Sequence, residues 1–222
     1  MKLLLTSGGI RNPSIRAALD RFLPKPVEDC DALGITTASY AHPHAGPGRA
    51  WAFVADDPMT ALPWKSTGLL ELTALPSLGR DTWLPWADQT DVFLVNGGDA
   101  LYLAHWMRES GLAELLPSLD AVWVGMSAGS MVMTPRVGEE FKQWDPPGGG
   151  DEALGFVDFA IFPHLQPPEG GWGNSMADAE AWFAKIDLPA YAMDDQTAID
   201  WVDGEVEVVS EGHWRKFDES AI

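Results

Sequence analysis

The sequence predicts an α/β fold of three layers, with helices on both faces of a doubly wound, mostly parallel sheet. Short apolar runs alternate with helical patterns along the chain, which is typical of parallel sheets. Gly-rich turns follow two of the apolar runs, at residues 7–9 and 96–98. The tail alternates apolar and polar residues around Asp203-Gly204, which predicts a C-terminal β-hairpin. Because neither a linker nor a repeat is visible, we expect a single domain over residues 1–222.

The elements follow from the spacing of the apolar residues. Continuous apolar runs predict strands at residues 2–5, 33–37, 69–72, 92–95, 121–124, 159–162 and 190–193. Amphipathic spacing predicts helices at residues 14–22, 50–62, 100–109, 111–116, 130–133 and 175–185. Asp99 is a suitable N-cap for the third of these helices. Residues 135–151 are rich in Pro and Gly and are predicted to form a long loop, a feature that often carries function.

The charge excludes several classes of partner. The 222 residues include 33 Asp and Glu against 14 Lys and Arg, which gives a formal charge of −19. Such a surface repels phosphate backbones and anionic lipids, so we expect neither nucleic-acid binding nor membrane binding. The single cysteine, Cys30, excludes an internal disulfide and a cysteine-based zinc site. The apolar run after Met1 is too short for a signal peptide, so the expected location is the cytoplasm.

The sharpest motif is Gly125-Met126-Ser127-Ala128-Gly129, which matches G-x-S-x-G between a predicted buried strand and a predicted helix. In this context the motif raises a serine above the sheet and directs the next N–H group toward a developing oxyanion. Ser127 is therefore the candidate nucleophile, and Ala128 supplies the N–H group. A Gly-rich turn with an incidental serine is less favoured, because both the flanking strand and the flanking helix are predicted.

A serine hydroxyl needs a base, and His164 is the best candidate among the five histidines. It follows a predicted strand directly, and functional groups of open α/β sheets gather beyond the carboxyl ends of the strands. Ser127 meets the same condition. The other four histidines are interpreted as surface or packed residues.

Two further parts are needed: an acid that orients the imidazole and a second oxyanion donor. The loop between Ser127 and His164 contains several candidate carboxylates, at Glu139, Glu140, Asp145, Asp151 and Glu152. Spacing alone does not select one of them. The Gly97-Gly98 turn ends the strand before the nucleophile strand, and glycines there let a backbone N–H approach a substrate carbonyl closely.

Five short motifs occur in an order that is found in one family of serine peptidases. They span residues 3–9 (LLLTSGG), 95–99 (VNGGD), 125–129 (GMSAG), 162–164 (FPH) and 194–199 (DDQTAI). This combination resembles the peptidase E (aspartyl dipeptidase) family. The resemblance implies a flavodoxin-like fold related to class I glutamine amidotransferases, with Ser127 as nucleophile and His164 as base. It also implies an oxyanion hole at the Gly98 and Ala128 N–H groups, and hydrolysis of short peptides from the N-terminal side without a metal.

Three departures from the family pattern bear on the acid and on the substrate. Lys142 stands where the aspartyl dipeptidases carry an Asp, so Glu139 is chosen as the triad acid over Glu140. Relatives that require an N-terminal Asp use an arginine downstream of the histidine, whereas residues 169–180 contain neither Arg nor Lys. Strict Asp specificity is therefore not expected. The family's Gly-Gly-Asn is Gly-Gly-Asp here, and Asp99 is expected to bind the N-terminal ammonium of a substrate.

The sequence thus predicts a cytoplasmic serine peptidase of dipeptidase or aminopeptidase type, which acts on small peptides as a monomer or homodimer. Ser127, His164 and Glu139 form the predicted triad, Gly98 and Ala128 form the oxyanion hole, and no metal or other cofactor is expected. Two alternatives remain open: an esterase or amidase that uses the same groups, and an inactive binding module on the same fold.

Overall fold

The elements alternate between strands and helices as the sequence predicts. The computed structural model describes residues 1–171 and 173–218. In chain order, the elements are β1 (Lys2–Thr6), α1 (Pro13–Phe22), β2 (Asp31–Ile35), α2 (Gly46–Asp56), β3 (Ser66–Leu69), α3 (Arg80–Asp88), β4 (Val92–Val95), α4 (Ala100–Glu109), α5 (Leu112–Leu115), β5 (Val122–Met126), α6 (Ala128–Met131), β6 (Ala160–Phe162), α7 (Met176–Ile186), β7 (Ala190–Met193), β8 (Thr197–Val202), β9 (Glu205–Ser210) and β10 (Trp214–Phe217).

Among the described residues, seven strands form the central sheet in the order β3-β2-β4-β5-β1-β8-β9. The first five of these strands are parallel, and β8 and β9 are antiparallel to their neighbours. β8 and β9 make the predicted hairpin, which turns at Asp203-Gly204. Strand β1 lies between β5 and β8. Its carboxyl end therefore lies beside the carboxyl end of β5 and beside the beginning of β8.

The central strands of the sheet are buried on both faces, which is the physical basis of the three layers. In β1, Leu3 and Leu5 point into a core with α4 and α5, whereas Leu4 points into a second core with α1. This alternation follows from the two-residue period of a strand. Asn12 begins α1 by accepting a hydrogen bond from the Ile15 N–H, with a proline in the first turn. The predicted fold class is confirmed.

A second sheet was not anticipated from the sequence. Strands β6 and β7 pair in parallel, and β10 adds to β7 in antiparallel orientation. Helix α7 covers this sheet with Trp182, whose ring contacts Phe162 at a centroid distance of 5.4 Å. The Trp182 indole N–H donates to the Val137 carbonyl (2.9 Å), so this small core also ties down the chain after α6.

Several element boundaries differ from the sequence prediction for identifiable reasons. Helix α2 ends at Asp56, because Asp57 precedes Pro58 and the residue before a proline is pushed out of the helical region. Helix α3 was missed because Pro85 lies inside it and masks the helical pattern. None of the helices in the described part of the chain combines the length and apolar composition needed to cross a bilayer.

The two-sided burial of β1 predicts a large effect of truncating Leu4, which is 0% exposed. Replacing Leu4 with Ala should lower the free energy of unfolding by about 2–5 kcal/mol, because a cavity replaces packed atoms. Leu69→Ala is the matched control, since Leu69 lies on the edge strand β3 and is 56% exposed. Its cost should stay under about 1 kcal/mol in urea denaturation. Equal costs for the two variants would contradict this description of the core.

Candidate active site

The candidate nucleophile Ser127 lies on the sharp turn between β5 and α6, with φ 53° and ψ −113°. Positive φ is unfavourable for a residue with a side chain, so the turn is strained and depends on its surroundings. The Ser127 N–H donates to the Thr6 carbonyl at the end of β1 (3.1 Å). A Cβ on Gly125 would overlap the Gly129 carbonyl, and one on Gly129 would lie 2.5 Å from the Val95 carbonyl oxygen. The turn therefore requires both glycines of the motif.

The candidate base His164 lies just beyond β6, and its Nε2 is 2.9 Å from the Ser127 Oγ. The structure thus brings together the two residues that the sequence selected. His164 also has a positive φ, of 56°. Its backbone is held on both sides: the N–H donates to the Ser7 Oγ (2.8 Å), and the carbonyl accepts from the Asn174 N–H (2.7 Å).

The carboxylate at the imidazole belongs to Asp195, which lies between β7 and β8. Its Oδ1 is 2.7 Å from the His164 Nδ1 and also accepts a hydrogen bond from the Ser7 hydroxyl (3.1 Å). Burial raises the pKa of the Asp195 carboxyl, but the hydrogen bonds from His164 and Ser7 outweigh it and hold the pKa below its ordinary value. The ionised carboxylate favours a hydrogen on Nδ1, which leaves the Nε2 lone pair facing Ser127.

The predicted placement of Glu139 beside the histidine is wrong. Its side chain is 64% exposed and forms an ion pair with Lys142 (2.8 Å). The alternative, Glu140, pairs with Lys185 on α7. Asp195 occupies the position instead. A sequence signal for it existed, because Asp195 follows β7 closely and therefore obeys the same rule that selected His164.

The backbone N–H groups of Gly98 and Ala128 are the predicted oxyanion donors. Within residues 1–171 and 173–218, neither N–H donates a hydrogen bond to the protein. Gly98 has a φ of 145°, and a Cβ there would overlap the Ala38 carbonyl oxygen, so only glycine fits. The Ser39 hydroxyl holds the same turn by donating to the Gly97 carbonyl (3.1 Å). Both N–H groups thus lack an acceptor in the described part of the chain, as oxyanion donors require.

Asp99 does not have the substrate-binding geometry that the sequence suggested. Its side chain is 0% exposed. One carboxylate oxygen accepts from the Tyr102 N–H (2.7 Å) as the N-cap of α4. The other accepts from the N–H groups of Gln143 (2.9 Å) and Trp144 (2.8 Å). Three backbone donors thus satisfy the carboxylate, and Asp99 instead ties the predicted 135–151 loop to the turn that carries Gly98.

A cleft of about 320 Å³ opens beside His164 and Asp195. Its lining includes Glu169, Glu211 and His213, and its described lining contains neither Lys nor Arg. The cleft therefore combines carboxylates with the exposed side of the candidate base. Across the part of the chain that the structure describes, no three His, Cys, Asp or Glu side chains are grouped closely enough to share a metal ion.

A sequence model of peptidase family S51 matches residues 85–209, which is more than half of the chain. The chain therefore belongs to this family, and the resemblance to the peptidase E family is confirmed. The matched segment contains Ser127, His164 and Asp195. Family membership makes the chain a peptidase.

Two solved structures share the fold. One is a protein described as a peptidase E from Listeria monocytogenes EGD-e, with a TM-score of 0.66 and 17% identity over 94% of this chain and 98% of that one. The other is a peptidase from an acI-B1 actinobacterium, with a TM-score of 0.59 and 17% identity over 97% of this chain and 93% of that one. At this level of identity the similarity establishes the fold alone. A search of curated proteins found no match.

If Asp195 orients the imidazole, Asp195→Asn should slow labelling of the protein by a fluorophosphonate about 10³-fold, because the amide favours the wrong tautomer of His164. Glu139→Gln is the matched control and should label at the wild-type rate. Labelling is followed by intact-protein mass spectrometry. A loss of labelling in Glu139→Gln with normal labelling in Asp195→Asn would reverse the assignment.

The role of Asp99 as a backbone acceptor predicts a local effect of Asp99→Asn. An amide N–H₂ cannot accept a hydrogen bond, so at least one buried N–H loses its partner, at a cost of about 1–3 kcal/mol. Hydrogen exchange should accelerate at the Tyr102 amide or at the Gln143 and Trp144 amides, according to which acceptor position the remaining oxygen occupies, as measured by mass spectrometry. Asp145→Asn, at a side chain that is 91% exposed, is the control and should leave this exchange unchanged. Unaltered exchange in Asp99→Asn would contradict the assigned role.

Proposed function

We propose that this peptidase hydrolyses short peptides through a Ser127–His164–Asp195 triad and an acyl-enzyme intermediate. The observation that carries the proposal is the continuous hydrogen-bonded chain from the Ser127 Oγ through both imidazole nitrogens to the Asp195 carboxylate, with distances of 2.9 and 2.7 Å. Both distances are within the range needed for proton transfer and for orientation of the base.

The chemistry follows from these positions. As the Ser127 Oγ attacks the scissile carbonyl, its proton passes to the His164 Nε2, and Asp195 stabilises the resulting imidazolium. The carbonyl oxygen becomes an oxyanion, which the Gly98 and Ala128 N–H groups bind. The C–N bond then breaks, and His164 gives its proton to the leaving amine. Water repeats the sequence on the ester, with His164 again as base, and releases the acid and free Ser127.

The acidic side chains that line the cleft support a proposal about the substrate class. His164 protonates the leaving amine, so the leaving part of the substrate lies near His164. His164 is also part of the lining of the acidic cleft. Glu169 and Glu211 make this cleft unfavourable for acidic residues. We therefore propose that the enzyme prefers peptides whose leaving residue is neutral or cationic. An N-terminal Asp is not required in this proposal, because residues 169–180 supply neither Arg nor Lys to bind it. The acting form is proposed to be a cytoplasmic monomer or homodimer.

Profiling a dipeptide and tripeptide library tests the proposal. The purified protein should cleave peptides with a neutral or basic leaving residue faster than peptides with an acidic leaving residue, and it should not require Asp at the first position. Ser127→Ala should reduce cleavage at least about 10³-fold without unfolding the protein. Ser118→Ala is the control, since this exposed serine precedes β5, whereas Ser127 follows the opposite end of that strand, and it should keep full activity.

Three outcomes would contradict the proposal. Peptide cleavage that persists in Ser127→Ala would exclude the mechanism. Hydrolysis of p-nitrophenyl acetate without cleavage of any peptide would indicate an esterase. A folded protein that neither cleaves peptides nor reacts with a fluorophosphonate would indicate a binding module.

A further inference from the structure

The turn after β1 contacts two of the three triad residues, although it contributes none of them. Thr6, the last residue of β1, pairs with Met126 of β5 and with Ala198 of β8. Ser7 therefore lies between the turn that carries Ser127 and the segment that carries Asp195. Its backbone N–H donates to the Thr197 carbonyl (3.1 Å), which fixes it against the beginning of β8.

The Ser7 hydroxyl has one hydrogen to donate and lone pairs to accept with. It accepts from the His164 N–H (2.8 Å), and its own hydrogen is directed to the Asp195 Oδ1 (3.1 Å). Ser7 is 0% exposed, so its hydroxyl is shielded from bulk water. One buried hydroxyl thus links the backbone of the candidate base to the carboxylate that orients its ring.

The neighbouring residue shows that the turn is shaped around this carboxylate. A Cβ on Gly8 would lie 2.6 Å from the Asp195 Cβ and 2.7 Å from its Cγ. Any larger residue at this position would push Asp195 away from the turn. The close approach of the Gly8 backbone and the hydrogen bond from Ser7 therefore both position the Asp195 side chain.

We propose that Ser7 is a positioning residue of the triad, which holds the Asp195 carboxylate and the His164 backbone in register with each other. The inference rests on the proposed serine mechanism and adds a residue to it. Without the hydroxyl, the Asp195 Oδ1 loses one of its two donors, and the strained His164 backbone loses its N–H acceptor. The imidazole then spends less time aligned with Ser127.

The test measures the rate of inactivation by a fluorophosphonate probe over a range of concentrations up to saturation, which separates kinact from KI. Ser7→Ala should lower kinact about tenfold, as expected for loss of a hydrogen bond to a charged group, and should leave KI within about twofold. Ser110→Ala removes another buried hydroxyl, one that donates to the Met107 carbonyl on α4, and should leave kinact unchanged. Ser7→Cys keeps the volume with a weak donor and supplies a second variant if Ser7→Ala does not fold.

A double-mutant cycle with Asp195→Asn separates positioning from a general structural role. If Ser7 acts through the Asp195–His164 pair, Ser7→Ala should lower kinact by a smaller factor in the Asp195→Asn background than in the wild type. The same fold-decrease in both backgrounds, or a wild-type kinact in Ser7→Ala, would overturn the inference while leaving the triad intact. Normal labelling of Ser127→Ala would instead refute the proposed function itself.

Discussion

The pairing of β1 with β5 on one side and β8 on the other is the constraint on which the site depends. Thr6 lies opposite both Met126 and Ala198, so the end of β1 lies beside the nucleophile turn and beside the beginning of β8. A slip of one residue would move Leu4 to the opposite face of the sheet, where it would no longer fit its core. The packing that stabilises the sheet therefore also sets the separation of Ser127 and Asp195.

The imidazole comes from the second sheet, so docking of that sheet contributes to function. β6 ends two residues before His164, and Phe162 packs against Trp182 of α7. Ser127 and His164 both have positive φ, a strained conformation that persists only where the surroundings enforce it. The Thr6 carbonyl accepts from the Ser127 N–H, and the Ser7 hydroxyl accepts from the His164 N–H. Strand β1 and the turn after it therefore anchor both strained residues.

The sequence was most informative where a local pattern carries the geometry. The strand–turn–helix around Ser127 and the strand end before His164 are local, so both residues could be predicted. Asp195 also follows a strand end, β7, but its contact with His164 depends on the long-range pairing of β8 with β1, which the sequence pattern does not report. Asp99 was misjudged because its partners at 143 and 144 lie more than forty residues away. Strand β10 was not predictable for the same reason, because its pairing with β7 is a tertiary contact.

The most direct test of the central claim is a crystal structure of the protein after reaction with a fluorophosphonate. Phosphorus should be bonded to the Ser127 Oγ, with the phosphoryl oxygen accepting hydrogen bonds from the Gly98 and Ala128 N–H groups. Asp195 should remain within hydrogen-bond distance of the His164 Nδ1. A label on another residue, or an imidazole that contacts a carboxylate other than Asp195, would exclude the Ser127–His164–Asp195 triad.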